Sequence, residues 1–277
     1  FDGEGGAHHP ERTNDQDLAN NAVSCLSKSR MLEISEVNMG KRKSVPKPPF
    51  STPSLLKTAG SHPRIGWSTR NIMQVANDLY QAGFITYIRT DSTRTNPESR
   101  NEVREYIASK WGTEFLRDEP GILGKESKSG STNIQDAHEA IRPTNPKNIE
   151  PEGLDKRQKI LYNLIWARFA ASQMSNSQYE TMGIRGFVDG FEKVWVGSTS
   201  WRVHDGWEAA FIGLRKEPNS SPPDIPTNQG DYLKLDEVDE NPKLIEDETK
   251  PPSRFRQHSL VETMQNEGIG RPSTYAS

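Results

Sequence analysis

The chain has 277 residues, enough for two or more domains that each bury a core. Only 32% of them are hydrophobic and the mean hydropathy is −0.83, which argues for an open, surface-rich arrangement over one compact globule. A net charge of −3 excludes a uniformly basic nucleic-acid coat, and the single cysteine, Cys25, excludes an internal disulfide or a cysteine zinc site. No apolar run is long enough to cross a bilayer and no charged-then-apolar leader opens the chain, so a soluble protein of a reducing compartment is expected, without a membrane partner.

The charge is uneven. Residues 28–70 hold nine Lys/Arg against Glu33 and Glu36, whereas residues 217–250 hold ten Asp/Glu against three lysines. The basic half suits phosphate contact and the acidic half would face away from DNA, although ordinary solvated faces give the same counts.

In chain order, the start without Met points to a piece of a longer protein, and His8-His9 reads as incidental. Residues 16–30 have a helical spacing (Leu18, Ala22, Cys25, Leu26), residues 31–37 alternate like a strand, and Pro46, Pro48 and Pro49 mark a link into a new unit. A helix is expected from Thr52-Pro53, with Thr as cap, and another over 69–82 with Ile72, Val75, Ala76 and Leu79 on one face. Ser68 caps the second helix and Gly83 stops it. Residues 84–89 then read as a strand, which would put Tyr87, Arg89 and Asp91 on one face. A helix opens at Asn96-Pro97-Glu98, a Gly- and Ser-rich loop covers 117–133, and a strong amphipathic helix runs near 155–173. Beyond Met174 the segments 179–188, 192–197, 199–204, 208–214 and 231–238 read as short strands packing with residues 31–37. Ser259-Leu260-Val261-Glu262 has the spacing of a capping box that opens a last helix.

Four stretches carry a family resemblance, in order. They are Pro48-Pro49-Phe50-Ser51-Thr52, Leu79-Tyr80-Gln81-Ala82-Gly83 running into Phe84-Ile85-Thr86-Tyr87-Ile88-Arg89-Thr90-Asp91-Ser92, Ala137-His138-Glu139-Ala140-Ile141-Arg142-Pro143-Thr144, and Gly268-Ile269-Gly270-Arg271-Pro272-Ser273-Thr274-Tyr275-Ala276-Ser277. Together they resemble the type IA DNA topoisomerases over roughly residues 20–277. The resemblance implies an α+β multidomain fold, with a mainly helical tyrosine domain inserted in a β-rich arch of a toroidal core. The expected divisions are 1–50 (first part of the arch), 51–173 (tyrosine domain), 174–250 (arch return) and 251–277 (start of a further DNA-binding domain).

The implied activity is relaxation of negatively supercoiled DNA by strand passage through a transient 5′-phosphotyrosine link, with single-stranded DNA as preferred partner and a monomer in the cytoplasm or an organelle. Tyr87 would be the nucleophile. A phenol titrates near pH ~10, so a cation such as Arg89 on the same face is needed to favour its phenolate and to bridge phosphate oxygens. By resemblance His138 contacts the scissile phosphate or orients the site, and Thr90, Asp91, Arg142, Arg271, Ser273 and Thr274 fall at the DNA. Arg142, four residues after His138 and on its face if the segment is helical, could instead support the site through a salt bridge to an acid such as Asp91. Gly268 to Thr274 would offer backbone N–H groups to a phosphate. Tyr275 reads as packing and Glu139 is given no role.

Magnesium ligands belong, in the family, to an upstream Toprim domain with an acidic Asp-x-Asp cluster. No such pattern is present, and Asp236-Glu237-Val238-Asp239-Glu240 reads as solvated surface. This chain alone is therefore expected to hold no metal, to bind DNA weakly and not to complete a cleavage–religation cycle. Two other readings compete. Tyrosine recombinases and type IB enzymes place the tyrosine after an Arg/His set, the reverse of the order here. A non-catalytic single-stranded-DNA-binding or interaction scaffold would keep the shape without the chemistry.

Overall fold

The computed structural model describes residues 13–118, 138–235 and 242–275. The chain divides into two compact units that it visits alternately. A sheet-bearing unit takes Phe1–Lys43, Gln178–His204 and Pro218–Pro251, and a helical unit takes Ser44–Ser177, Asp205–Glu217 and Pro252–Ser277. The segment expected to start a further domain, Pro252–Ser277, falls with the helical unit, where the last helix packs.

In the sheet-bearing unit, α1 (Gln16–Ser29) precedes β1 (Met31–Ser44), β2 (Ser177–Val188), β3 (Phe191–His204) and β4 (Tyr232–Lys234). Their order across the sheet is β3-β2-β1-β4, so the strand at 31–37 does join the later strands. β2 and β3 form an antiparallel hairpin in which Met182 faces Thr199 and Val188 faces Phe191. The two residues between, Asp189 and Gly190, make the turn, and Gly190 takes the positive φ of 78° that such a turn demands. Gly197, expected to split two strands, instead pairs with Ile184 within the ladder, so β3 runs through it. Ile34, Met182, Ile184 and Trp201 form the core of this unit's sheet face.

The helical unit contains α2 (Thr52–Ser61), α3 (Thr69–Gln81), α4 (Pro97–Trp111), α5 (Lys156–Ala171) and α6 (Gln257–Asn266). Local chemistry sets their starts. Asn96 Oδ1 accepts the Ser99 N–H at 2.8 Å to open α4, and Asp155 and Gln158 cap each other reciprocally at 2.8 and 2.9 Å to open α5. Ser259 does not open the last helix. It lies at the third helical position, where its hydroxyl accepts the Arg256 N–H at 2.9 Å, and the helix begins two residues earlier.

The apolar stripes of α2 to α5 meet in one core. Leu55, Leu56, Ile72, Ala76, Leu79, Val103, Ile107, Leu161, Ile165 and Phe169 are fully buried there. Each such large side chain contributes roughly 1.5–3 kcal/mol on leaving water, which is what holds the helices together. The run 208–214, expected as a strand, is a 3-10 turn over Gly206–Phe211 packed on α5. Its apolar residues alternate too briefly to fix a strand, and Trp207 instead donates its indole N–H to Ser44 O at 2.9 Å.

Candidate active site

α3 delivers its chain end into the site. Gly83, at a φ of 77°, turns the chain as its N–H bonds back to Tyr80 O at 2.9 Å, and the Phe84 N–H reaches Leu79 O at 2.9 Å. The expected strand over 84–89 is not formed. A single bridge joins Ile85 to Pro143, and the rest of the segment has no ladder partner among the described residues.

Side chains replace that ladder. The Thr52 hydroxyl, fully buried, donates to Ile88 O at 2.7 Å and accepts the Thr90 N–H at 2.8 Å, while the Thr52 N–H donates to Thr90 O at 2.8 Å. This inward use of Thr52 is why Ser51, one residue earlier than expected, is the cap of α2. On the other side, the Thr86 hydroxyl donates to Ala140 O at 2.7 Å and accepts the Arg142 N–H at 3.0 Å. The Thr144 hydroxyl donates to Gly83 O at 2.6 Å, and the Ile141 N–H to Phe50 O at 2.7 Å. Three separated motifs are thereby tied into one platform.

Exposure alternates along the loop although no sheet exists. Ile88 and Thr90 are buried at 3% and 2%, whereas Tyr87 is 38% exposed and Arg89 and Asp91 are open. The Tyr87 ring lies between two others, with Tyr80 edge-on at 5.5 Å and the half-buried His138 at 5.1 Å. Arg89 carries no hydrogen bond or ion pair among the described residues, so its guanidinium is available to an incoming anion.

Two expected DNA contacts have other partners. Thr90 is turned into the platform and buried, its hydroxyl accepting the Ser92 N–H at 3.0 Å. Residues 138–142 are not helical, because the backbone of this stretch is bonded to Phe50 and to Thr86. Arg142 is buried, and its Nε donates to Glu139 Oε2 at 3.0 Å and its Nη1 to Pro143 O at 2.8 Å. Its acid is Glu139 and not Asp91.

The fourth motif borders the same platform. Asp91 and Pro53 line a small polar pocket of about 150 Å³ with Gln265, Gly268, Gly270, Arg271, Pro272 and Tyr275. Arg271 and Thr274 close a turn on each other, since the Thr274 hydroxyl accepts the Arg271 N–H at 3.0 Å, which removes one N–H from the expected phosphate cradle. Arg271 Nη1 donates to Gly270 O at 2.7 Å, and Ser273 is exposed. Tyr275 packs against the helical core. Burial raises its phenol pKa and the Asp91 carboxylate raises it further, against the opposing pull of Arg271.

Thr52, Thr86, Glu139 and Tyr80 are the residues that sequence reasoning missed. All four lie inside the quoted motifs, where position in the motif is the only signal available. Among the described residues no three His, Cys, Asp or Glu side chains come together to hold a metal ion. The residues described thus do not fit the magnesium that the resemblance implies, and residues 236–240 and 8–9 lie outside them.

Comparison with known proteins gives the family. The DNA topoisomerase family profile matches residues 3–277. DNA topoisomerase 1 of Fervidobacterium islandicum is 34% identical over 91% of this chain and 36% of its own length, and that of Thermotoga maritima 38% identical over 89% and 38%. The solved structure of full-length topoisomerase I from Thermotoga maritima superposes with a TM-score of 0.77 at 32% identity, covering 98% of this chain and 42% of that one. The chain thus spans little more than a third of those two curated relatives. A family profile that matches nearly the whole chain, with relatives above 30% identity, shows that the chain belongs to the bacterial type IA DNA topoisomerases.

Proposed function

We propose that this chain supplies the tyrosine half of a DNA strand-passage reaction that relaxes negatively supercoiled DNA. The Tyr87 oxygen attacks a backbone phosphorus, a new P–O bond to the phenol forms, and the P–O3′ bond breaks. The departing 3′-oxygen leaves as a hydroxyl and takes up one proton, matching the proton the phenol gives up. Reversal reseals the strand with no external energy source, because one phosphodiester has been exchanged for another. Arg89 shares the charge that builds on the phosphoryl oxygens in its planar fork, and His138, against the Tyr87 ring, orients the phenol or meets the phosphate.

Arg271, Ser273, Asp91 and the pocket between them would steady the single strand that leads to the site. Arg142 and Thr90 support the platform from beneath. The observation that supports this reading best is the exposed phenol of Tyr87 between Tyr80 and His138, on a loop that buried side chains hold in place.

The test mixes this chain with a separately made Toprim-containing piece, magnesium and end-labelled single-stranded DNA, and looks for a covalent adduct. The label is expected to stay with the protein when it is on the 3′ end, as a 5′-phosphotyrosine requires, and Tyr87→Phe is expected to abolish the adduct. Retention of a 5′-end label, or an adduct that survives Tyr87→Phe, would overturn it. A chain that binds the DNA and never forms the adduct would be the non-catalytic scaffold.

A further inference from the structure

A cluster of cations in the helical unit is left unused by the Tyr87 chemistry. Lys47 lies in the link that leads into α2. Next to it, Arg168 of α5 is buried, donates Nε to Pro48 O at 2.6 Å and stands 4.7 Å over the Phe50 ring. Lys57 of α2 pairs with Glu262 of α6. Arg215 stands 5.2 Å over the Trp207 ring, 3.6 Å from Glu208 Oε1, with its side chain 45% exposed.

Geometry brings them to the same segment, since Arg168 bonds the carbonyl of the residue after Lys47 and Arg215 covers the Trp207 ring, whose indole N–H bonds Ser44 O three residues before it. Burial lowers the Lys47 pKa first, then Arg168 and Lys57 lower it further, Glu262 raises it and Arg215 lowers it. Four cations thus gather against two acids. Lys47 itself is exposed and has no hydrogen bond or ion pair among the described residues. A carbonyl and two aromatic faces hold the arginines in place, so the fold keeps like charges together against their repulsion. An anion laid across them relieves that repulsion, and a chain of phosphates does so at several points together.

We infer that Lys47 and Arg215, backed by the buried guanidinium of Arg168 and by Lys57, form a phosphodiester-binding patch that gives the DNA backbone a contact distinct from the Tyr87 loop. The inference rests on the reading that this chain handles DNA and not on the chemistry of Tyr87. Lys47 and Arg215 meet phosphate oxygens directly, whereas Arg168 is too buried to do so and supplies positive field. No base edge is read by such a patch, so its binding is independent of sequence.

The experiment measures the affinity of this chain for labelled single-stranded and duplex DNA by fluorescence anisotropy between about 50 and 200 mM salt. In the Lys47→Ala/Arg215→Ala variant the slope of log affinity against log salt is expected to become shallower by about 1.4 on single strands or about 1.8 on duplex. Affinity at the lowest salt is expected to fall about tenfold or more. The arm that responds identifies which form of DNA the patch takes, and a response in either supports the patch. The single Lys47→Ala variant, at an exposed position, gives half the slope change should the double variant melt early. Lys110→Ala, an exposed lysine on α4, is the control expected to leave both quantities near wild type.

Slopes and affinities equal to wild type in both variants and on both DNA forms would overturn the patch, as would an equal loss from Lys110→Ala. So would a wild-type chain that binds neither DNA. Tyr87→Phe distinguishes the two readings, because it removes the adduct of the proposed function and leaves the salt slope in place.

Discussion

The β2–β3 hairpin and the loop from Gly83 to Ser92 carry the same kind of sequence, β-branched and aromatic residues alternating with polar ones. The hairpin uses it to make a ladder, with Gln178 to Val188 paired to Phe191 to His204. The loop makes one bridge, at Ile85; the Thr52 and Thr144 hydroxyls take up its Ile88 and Gly83 carbonyls, and its own Thr86 hydroxyl ties it to the backbone of Ala140 and Arg142. The difference shows what a ladder would have cost the site. A strand flanked on both edges is hemmed in by neighbouring strands, whereas a loop pinned from beneath by short hydroxyls keeps Tyr87, Arg89 and Asp91 open to solvent.

The sharpest way to break the comparison is to remove a pin. Thr52→Val keeps the shape of the side chain, loses the donor to Ile88 O and leaves the Thr90 N–H without its acceptor, both in a dry setting. The expected loss is about 2–4 kcal/mol in a denaturant titration. Thr199→Val on the ladder, where the backbone pairs with Met182 regardless of the side chain, is expected to stay within about 0.5 kcal/mol. Equal losses at the two positions would mean that the hydroxyl does no more for the loop than any side chain does for the hairpin.

A gentler test reaches the loop from its far side. Glu139→Gln leaves the amide oxygen able to accept from Arg142 but removes the charge that offsets a buried guanidinium. Glu139 is itself about a third exposed, so water takes up part of the loss, and the expected cost is about 1–2 kcal/mol. For a unit of this size that is a fall in Tm of about 2–8 °C. Because the Arg142 carbonyl accepts the Thr86 N–H at 2.9 Å, the same variant is expected to lower adduct formation at Tyr87 more than it lowers DNA affinity. A variant with wild-type Tm and adduct yield would show Arg142 to be held well enough by Pro143 alone.

What the sequence could and could not show follows the same line. The helices were legible because apolar periodicity and capping are local, so Ile72, Val75, Ala76 and Leu79 could be assigned to a buried face, where they lie. The pairing of residues 31–37 with the later strands followed from their shared alternation. The loop misled because alternation records which side chains face inward and does not say whether a neighbouring strand supplies the hydrogen bonds. Thr52 and Ile88 are 36 residues apart, and no local pattern joins them. Whether the segment of Arg142 is helical was not legible for a related reason, since the bonds that keep it out of a helix come from Phe50 and Thr86, far away in the chain. The four motifs brought together in the candidate site were visible only as a resemblance, because their convergence is a property of the fold.

The smallest expected effect lies on the ladder's side of the comparison and sharpens it. Gly190 turns the hairpin at a φ of 78°, where an L side chain is strained, so Gly190→Ala is expected to cost about 1 kcal/mol. The added methyl would meet Cys25 Sγ at 3.5 Å, an ordinary contact, so the cost is one of backbone conformation and not of crowding. Gly83 has nearly the same φ, 77°, and its added methyl would meet nothing within 4 Å, so Gly83→Ala carries the same intrinsic penalty. The two substitutions should therefore match in a denaturant titration, yet only Gly83→Ala is expected to reduce DNA cleavage when the metal-bearing half is supplied. Turning the chain there aims the Tyr87 loop, whereas turning it at Gly190 only closes two strands that already hold each other. A matched pair in stability that also matched in cleavage would show that the site does not depend on how the chain leaves α3.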